Sequence, residues 1–356
     1  TIASARARSA GGADVDRDIS GGWIAALTLV CLAIIAWVIV DFARGAGLGG
    51  ELLPLTVASL PFVLVAGFLI AAICGYMAGL IGSSNSPISG VGILTIVSCA
   101  SLLLLVAAPT PETTKPMIAF ALIVTAIVFA VATISNDNLQ DLKTGQLVGA
   151  APWRQQWALI VGVAAGAAII PPVLNLLAQA YGFAGQPHPV SPAPLGAPQA
   201  TLISALAQGV LGHNLNWTMI GIGAVVGIGL IVLDEVLGLM KWTRLPPLAV
   251  GIGIYLPMAT VLPVTVGAVL GHWYNARAKR AANPARAERL GVLVASGMIV
   301  GESLFGVVLA GLIVALSSDA PLAVVAVDWA GANTFAVVGF VALVGALYAW
   351  MLRRSR

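Results

Sequence analysis

"LPFVLVAGFLIAAICGYMAGLIGSSNSPISGVGILTIVSCASLLLLVAA", residues 60–108, contains no Asp, Glu, Lys or Arg. Its two apolar arms are each about as long as the 20 helical residues needed to cross roughly 30 Å of hydrocarbon. Between them "IGSSNSPISGVGI" (81–93) concentrates four serines, an asparagine, a proline and three glycines. Lipid cannot satisfy backbone N–H and C=O groups, so irregular chain at membrane depth must lie inside protein or against a water-filled cavity. Such a stretch is suited to bind a polar substrate without a fixed charge; the alternative is a tight turn between two spans. Ser83, Ser84, Asn85, Ser86 and Ser89 supply the polar groups, while Pro87 and Gly90 break and open the backbone.

The whole chain has the same character. Of its 356 residues 59% are hydrophobic and 9% charged, with a mean hydropathy of +1.00. Soluble domains carry about a quarter charged residues, so the fold expected is all-α, a polytopic transmembrane helical bundle. Eight spans are predicted, at 23–40, 53–80, 90–108, 117–134, 157–181, 217–239, 290–316 and 335–351. The expected division is a polar cytoplasmic segment (1–22), a membrane domain (23–352) and a basic cytoplasmic tail (353–356). Residues 1–22 lack the pattern of a secretory signal peptide. Starting at Thr1, the chain is expected to begin partway through a longer protein.

Basic residues accumulate in cytoplasmic loops. Fifteen of the 17 fall in one set of loops, and Arg44 and Lys115 fall in the other. That places both termini in the cytoplasm of a multi-pass protein of a plasma or inner membrane. Segment 245–273 is then flanked by cytoplasmic charge on both sides, too short for two crossings and interrupted by Pro246, Pro247, Pro257 and Pro263. We expect a re-entrant hairpin of two short helices there, a device of transporters with inverted repeats.

Few polar residues interrupt the apolar spans. Glu302, in "MIVGESLFGVV", has no charged neighbour between Arg289 and Asp319. An ionisable group within a span is costly and by default functional; reversible protonation there would suit ion coupling. A glutamate bonded across the bundle is the alternative. Asp137, Asn138, Gln140, Asp141, Lys143 and Thr144 follow the span ending at Ile134. Asp137 and Asp141 share a helical face, as a cytoplasmic gate or as a solvated interfacial helix. Asp234 and Glu235 precede Lys241 and Arg244 near a span end and read as an interfacial salt bridge. Tyr255 offers a stacking face and a hydroxyl to a ligand, or simply packs.

Cys31, Cys74 and Cys99 lie in apolar runs and read as packing residues. No metal-ligand spacing occurs and no metal or other cofactor is expected. No P-loop is present. No G-x-S-x-G elbow occurs and no histidine lies within a span to serve as base, so an enzyme is not expected. Nor is a nucleic-acid partner.

Four blocks carry a resemblance. "GLIGSSNSPISGVGIL" (79–94), "ISNDNLQDLKTGQLVGAAPWRQQ" (134–156), "LPPLAVGIGIYLP" (245–257) and "SGMIVGESLFGVV" (296–308) occur in the order seen in the oligopeptide transporter family. That family includes the yellow-stripe-like metal-chelate transporters, and the chain resembles its C-terminal half. The resemblance implies proton-driven import of short peptides or peptide-like metal chelates. The partners expected are that small substrate, the lipid bilayer and the N-terminal half of the transporter, with a homo-oligomer left open. A passive channel or pore for small polar solutes is the other reading that the broken segments allow.

Overall fold

A computed structural model describes residues 17–81, 88–183, 197–213, 215–325 and 329–354. Among these residues there are helices and no strands. The helices are α1 (Gly21–Gly45), α2 (Leu52–Ile81), α3 (Ile88–Val106), α4 (Thr114–Val148), α5 (Pro152–Tyr181), α6 (Pro198–Leu211), α7 (Trp217–Leu239), α8 (Pro247–Tyr255), α9 (Met258–Ala278), α10 (Pro284–Leu316) and α11 (Ala332–Arg354). Seven of them, α1, α2, α4, α5, α7, α10 and α11, are long and apolar enough to cross a membrane. The eighth expected span is α3, shorter than these. Large apolar side chains cover their outer faces, as in Phe68, Leu105, Val225 and Val337, which is the solution a helix adopts when its solvent is lipid.

The chain divides into two compact units, Thr1–Ala167 with Ala197–Gly223, and Ala168–Gly196 with Ala224–Arg356. In the first, α4 is the central element. Its buried residues Met117, Phe120, Ala121, Val124, Thr125, Val128, Ala132 and Asn136 recur at helical spacing, and α1, α2, α3 and α6 pack around them. The 14-residue α6 is a half-length helix buried through Ala207, Gly209, Val210 and Leu211.

Two registers fix this unit. Gly67 of α2 lies against Val131 and Gly75 against Leu139, and the Ser135 hydroxyl donates to the Ala71 carbonyl at 2.6 Å. The offset is constant at 64 residues, so α2 and α4 run parallel. Gly92 of α3 meets Phe129, and the Cys99 thiol approaches the Ala121 carbonyl at 3.9 Å, so α3 runs antiparallel to α4.

In the second unit, segment 245–273 is broken as the prolines predict. Pro247 opens α8 and Pro257 is the residue before α9. The limbs are unequal, 9 and 21 residues, because Pro263 sits inside α9 without ending it. Its ring lies in the second turn, where it leaves the Ala259 carbonyl without a helical partner but does not end the helix. Tyr274 donates to the Ala287 carbonyl at 2.7 Å and so ties α9 to α10. Asn283 caps α10, its side chain accepting from Arg286 N at 3.1 Å, with Pro284 at the first helical position where a missing N–H costs nothing.

The α2–α4 contact generates the first expectation. A Cβ on Gly75 would stand 2.8 Å from Ser135 Oγ, which is itself held by Ala71, whereas one on Gly79 meets nothing within 4 Å. Alanine is favoured over glycine in a helix by about 1 kcal/mol at either site. Overpacking at position 75 should reverse that gain at a cost of about 1–3 kcal/mol. Thermal unfolding in detergent should therefore show Gly75→Ala melting below the parent and Gly79→Ala at or above it.

Candidate functional site

Ser83, Ser84, Asn85, Ser86 and Pro87 lie outside the described residues. Ser89 and Gly90 fall within the first turn of α3 rather than in irregular chain, and Gly90 is exposed with open space around it. A proline in the sequence just ahead of Ile88 suits a helix start at that point.

The described residues on either side of the motif are placed by the two registers. Both α2 and α4 are unbroken there, so the parallel register sets Ile81 level with Gly145. The antiparallel register sets Ile88 near Ala132 and Thr133. Between those two levels lie Asn136, Asp137, Asn138, Gln140, Asp141, Lys143 and Thr144 of α4. The fold thus brings the borders of the Ser/Asn motif alongside the polar stretch of α4, two clusters that stand some fifty residues apart in sequence.

The polar stretch is a continuation of the spanning helix. Its 35 residues measure about 52 Å at 1.5 Å per residue, well beyond a hydrocarbon core of about 30 Å. Gly149, left-handed at φ 74°, ends it. Asp137, Gln140, Asp141, Lys143 and Thr144 are exposed. Lys143 Nζ donates to Gln146 Oε1 at 3.0 Å. Asn138 is half-buried, three residues after Ser135.

Asn136 is 3% exposed, and the sequence reading passed over it. The signal was available: the stripe Ala121, Thr125, Val128, Ala132 reaches position 136 at the next turn.

The base of this end is closed by the start of α5. Trp153 N donates to the Arg17 carbonyl at 3.0 Å, Ile19 N to Gln156 Oε1 at 3.0 Å, and Gln156 Nε2 to Asp18 Oδ1 at 3.2 Å. Gln155 lies over Gly145, with its Nε2 buried and unbonded among the described residues. The block 134–156 that carried the resemblance is therefore one packed corner.

The other candidates belong to the second unit. Tyr255 is the last residue of α8, partly exposed at the break before Pro257. Glu302 sits near the middle of the 33-residue α10 and is exposed; the neighbouring Ser303 hydroxyl turns back to the Ile299 carbonyl at 3.0 Å. The link ahead of α8 is held as expected. Arg244 Nη2 is 2.9 Å from Asp234 Oδ2 and 2.8 Å from Glu235 Oε1. Asp234 Oδ1 also accepts from the Leu245 backbone N–H at 2.9 Å. Hydrogen bonds to Asp234 and then Glu235 hold the Arg244 guanidinium above its ordinary pKa. Among the described residues no three of His, Cys, Asp and Glu gather where they could hold a metal ion.

The family model described as OPT oligopeptide transporter protein matches residues 3–313. The chain belongs to the oligopeptide transporter family. A Haemophilus influenzae protein provisionally named an oligopeptide transporter is 44% identical over 334 residues, 88% of this chain and 53% of that protein. Two plant proteins provisionally named metal-nicotianamine transporters are more distant. YSL5 of Arabidopsis thaliana is 27% identical over 50% of this chain and 25% of its own length. YSL14 of Oryza sativa subsp. japonica is 28% identical over 50% and 24%. The chain thus spans about half the length of the bacterial relative. No solved structure matches it. As a family member with seven membrane-length apolar helices among its described residues, it is an integral, multi-pass membrane protein.

Two expectations follow from this geometry. Cysteines introduced at Asp137 or Asp141 should react quickly with a water-soluble maleimide, and one at Asn136 far more slowly; equal rates would contradict the assigned faces of α4. At the α7–α8 link, Asp234→Ala removes a charge pair and the Leu245 N–H bond, whereas Asp234→Asn can keep the latter. The melting temperature should fall most for Asp234→Ala and less for Asp234→Asn. Glu235→Gln should barely move it, because that side chain is 68% exposed and surface pairs contribute little.

Proposed function

We propose that the protein is a secondary active transporter importing short oligopeptides or peptide-like metal chelates, coupled to protons through Glu302. The observation that carries this reading is the position of Glu302, an ionisable group midway along an apolar membrane-length helix of an oligopeptide-transporter chain. A charged side chain facing lipid is expensive, so in the working protein that face of α10 borders protein or water. A carboxyl so placed can take up and release a proton as its surroundings alternate between the two sides.

In this proposal the substrate is held by the Ser/Asn motif (Ser83–Ser86, with Pro87, Ser89 and Gly90) together with Asn136 and Asn138, and Tyr255 contributes from the broken α8–α9 segment. Neutral hydroxyls and amides suit a zwitterionic peptide or a chelate whose charge is internally compensated. Asp137, Gln140, Asp141 and Lys143 form the hydrated cytoplasmic vestibule, the gate region. Both termini are cytoplasmic, and the remainder of the transporter completes the site. The plant relatives' names favour chelates as much as peptides.

The test is uptake of labelled tri- to hexapeptides, and of nicotianamine-type metal chelates, into proteoliposomes holding the complete protein. An inward proton gradient should accelerate uptake, Glu302→Gln should remove the gradient dependence, and Asn136→Ala should raise the half-saturating concentration. Uptake that is indifferent to the gradient in both parent and Glu302→Gln would instead identify a passive pore.

A further inference from the structure

Between α9 and α11 runs a groove of about 730 Å³, walled by Val266, Val269, Leu270, Phe340, Val341 and Val344. All its polar character is at one end. Trp273 and Tyr348 meet edge to face there, with centroids 5.9 Å apart, and beyond them Arg277 and Arg353 line the mouth. Trp273 and Arg277 are four residues apart on α9, and Tyr348 and Arg353 five apart on α11. At 1.5 Å per residue both guanidinium groups stem from about 6–8 Å past the aromatic pair. The two helices run in the same direction here, since both reach their arginine after their aromatic residue.

The end is built rather than incidental. Tyr274, Ala278, Ala287 and Met351 form a small buried core beneath it, and the Arg277 guanidinium is set over the Trp273 ring, 4.4 Å from its centroid. Neither α9 nor α11 contains an acidic residue. Glu288 lines the adjoining groove among α9, α10 and α11, and not this one. Among the described residues neither arginine forms an ion pair with a carboxylate.

An apolar channel, an aromatic pair and then two unneutralised guanidinium groups repeat, in order, the layers of a lipid leaflet. Aromatic side chains collect at the headgroup level, and basic pockets between spanning helices take anionic headgroups. We propose that this groove is a binding site for one anionic phospholipid, its acyl chain along Val266–Val269 and Val341–Val344 and its phosphate between Arg277 and Arg353. The site is independent of which solute is carried. By the distribution of basic residues it belongs to the cytoplasmic leaflet.

The complete protein, purified in a neutral detergent, should be titrated with dioleoyl phosphatidylglycerol or dioleoyl phosphatidylcholine and read by native mass spectrometry. One phosphatidylglycerol should be retained at concentrations where phosphatidylcholine is not. Arg277→Gln with Arg353→Gln should weaken it about thirtyfold, the effect of two basic contacts to an anionic lipid. Lys279→Gln with Arg280→Gln removes the same charge outside the groove and should leave it unchanged. A Cβ on Gly345, a groove residue, meets nothing within 4 Å. Gly345→Leu should therefore fold normally, fill the channel and also weaken retention. Equal retention of the two lipids, equal loss in the two charge pairs, unchanged retention in Gly345→Leu, or full competition by sn-glycerol 3-phosphate would each overturn the proposal.

Discussion

A peptide group in hydrocarbon has only other peptide groups to bond with. Everything described here depends on that constraint. It makes the chain helical wherever it crosses, lets large apolar side chains face outward as well as inward, and favours small or polar ones where helices approach most closely. In the first unit the α2–α4 seam shows the result. Gly67, Gly75 and Ser135 let two helices approach closely, and the Ser135 hydroxyl spends its hydrogen bond on a carbonyl of the neighbour. Arginines and carboxylates are pushed to helix ends, where Asp234, Glu235 and Arg244 pair. Glu302 is conspicuous because it alone breaks that distribution within α10.

The elements that were legible in the sequence are those set by local chemistry. Apolar run length gave the long helices, and Pro257 the break between α8 and α9. The polar stretch after Ile134, read as a gate or a solvated helix following the span, is helical and largely exposed and continues the span without a break. Hydropathy falls there, but Gln, Lys and Leu are good helix formers and nothing stops the helix before Gly149. Pro263 does not end α9, because a proline past the first turn costs one backbone bond that the rest of a 21-residue helix outweighs. The 14-residue α6 was too short and too polar to stand out, yet it buries one face against α3 and α4.

The candidate site was half legible. Its residue types announced themselves as polar groups in an apolar chain, but their grouping did not. That the borders of the Ser/Asn motif flank residues 132–145 follows from two registers set by tertiary contacts, Gly75 on Leu139 and Gly92 on Phe129. No local pattern encodes such a pairing. Asn136 was hidden because its meaning lies in the stripe it completes, not in its immediate neighbours. The lipid groove was invisible for the same reason: Arg277 and Arg353 are 76 residues apart in sequence.

The unbroken length of α4 has a mechanical consequence. Its one proline, Pro116, lies in the first turn, so the rest behaves as a stiff rod, gripped along its middle by α1, α2, α3 and α6 and near its end by Gln155 at Gly145. A rod held at both places moves as one piece, so the row from Asp137 to Lys143 keeps its spacing and can shift only together with the helices that grip it.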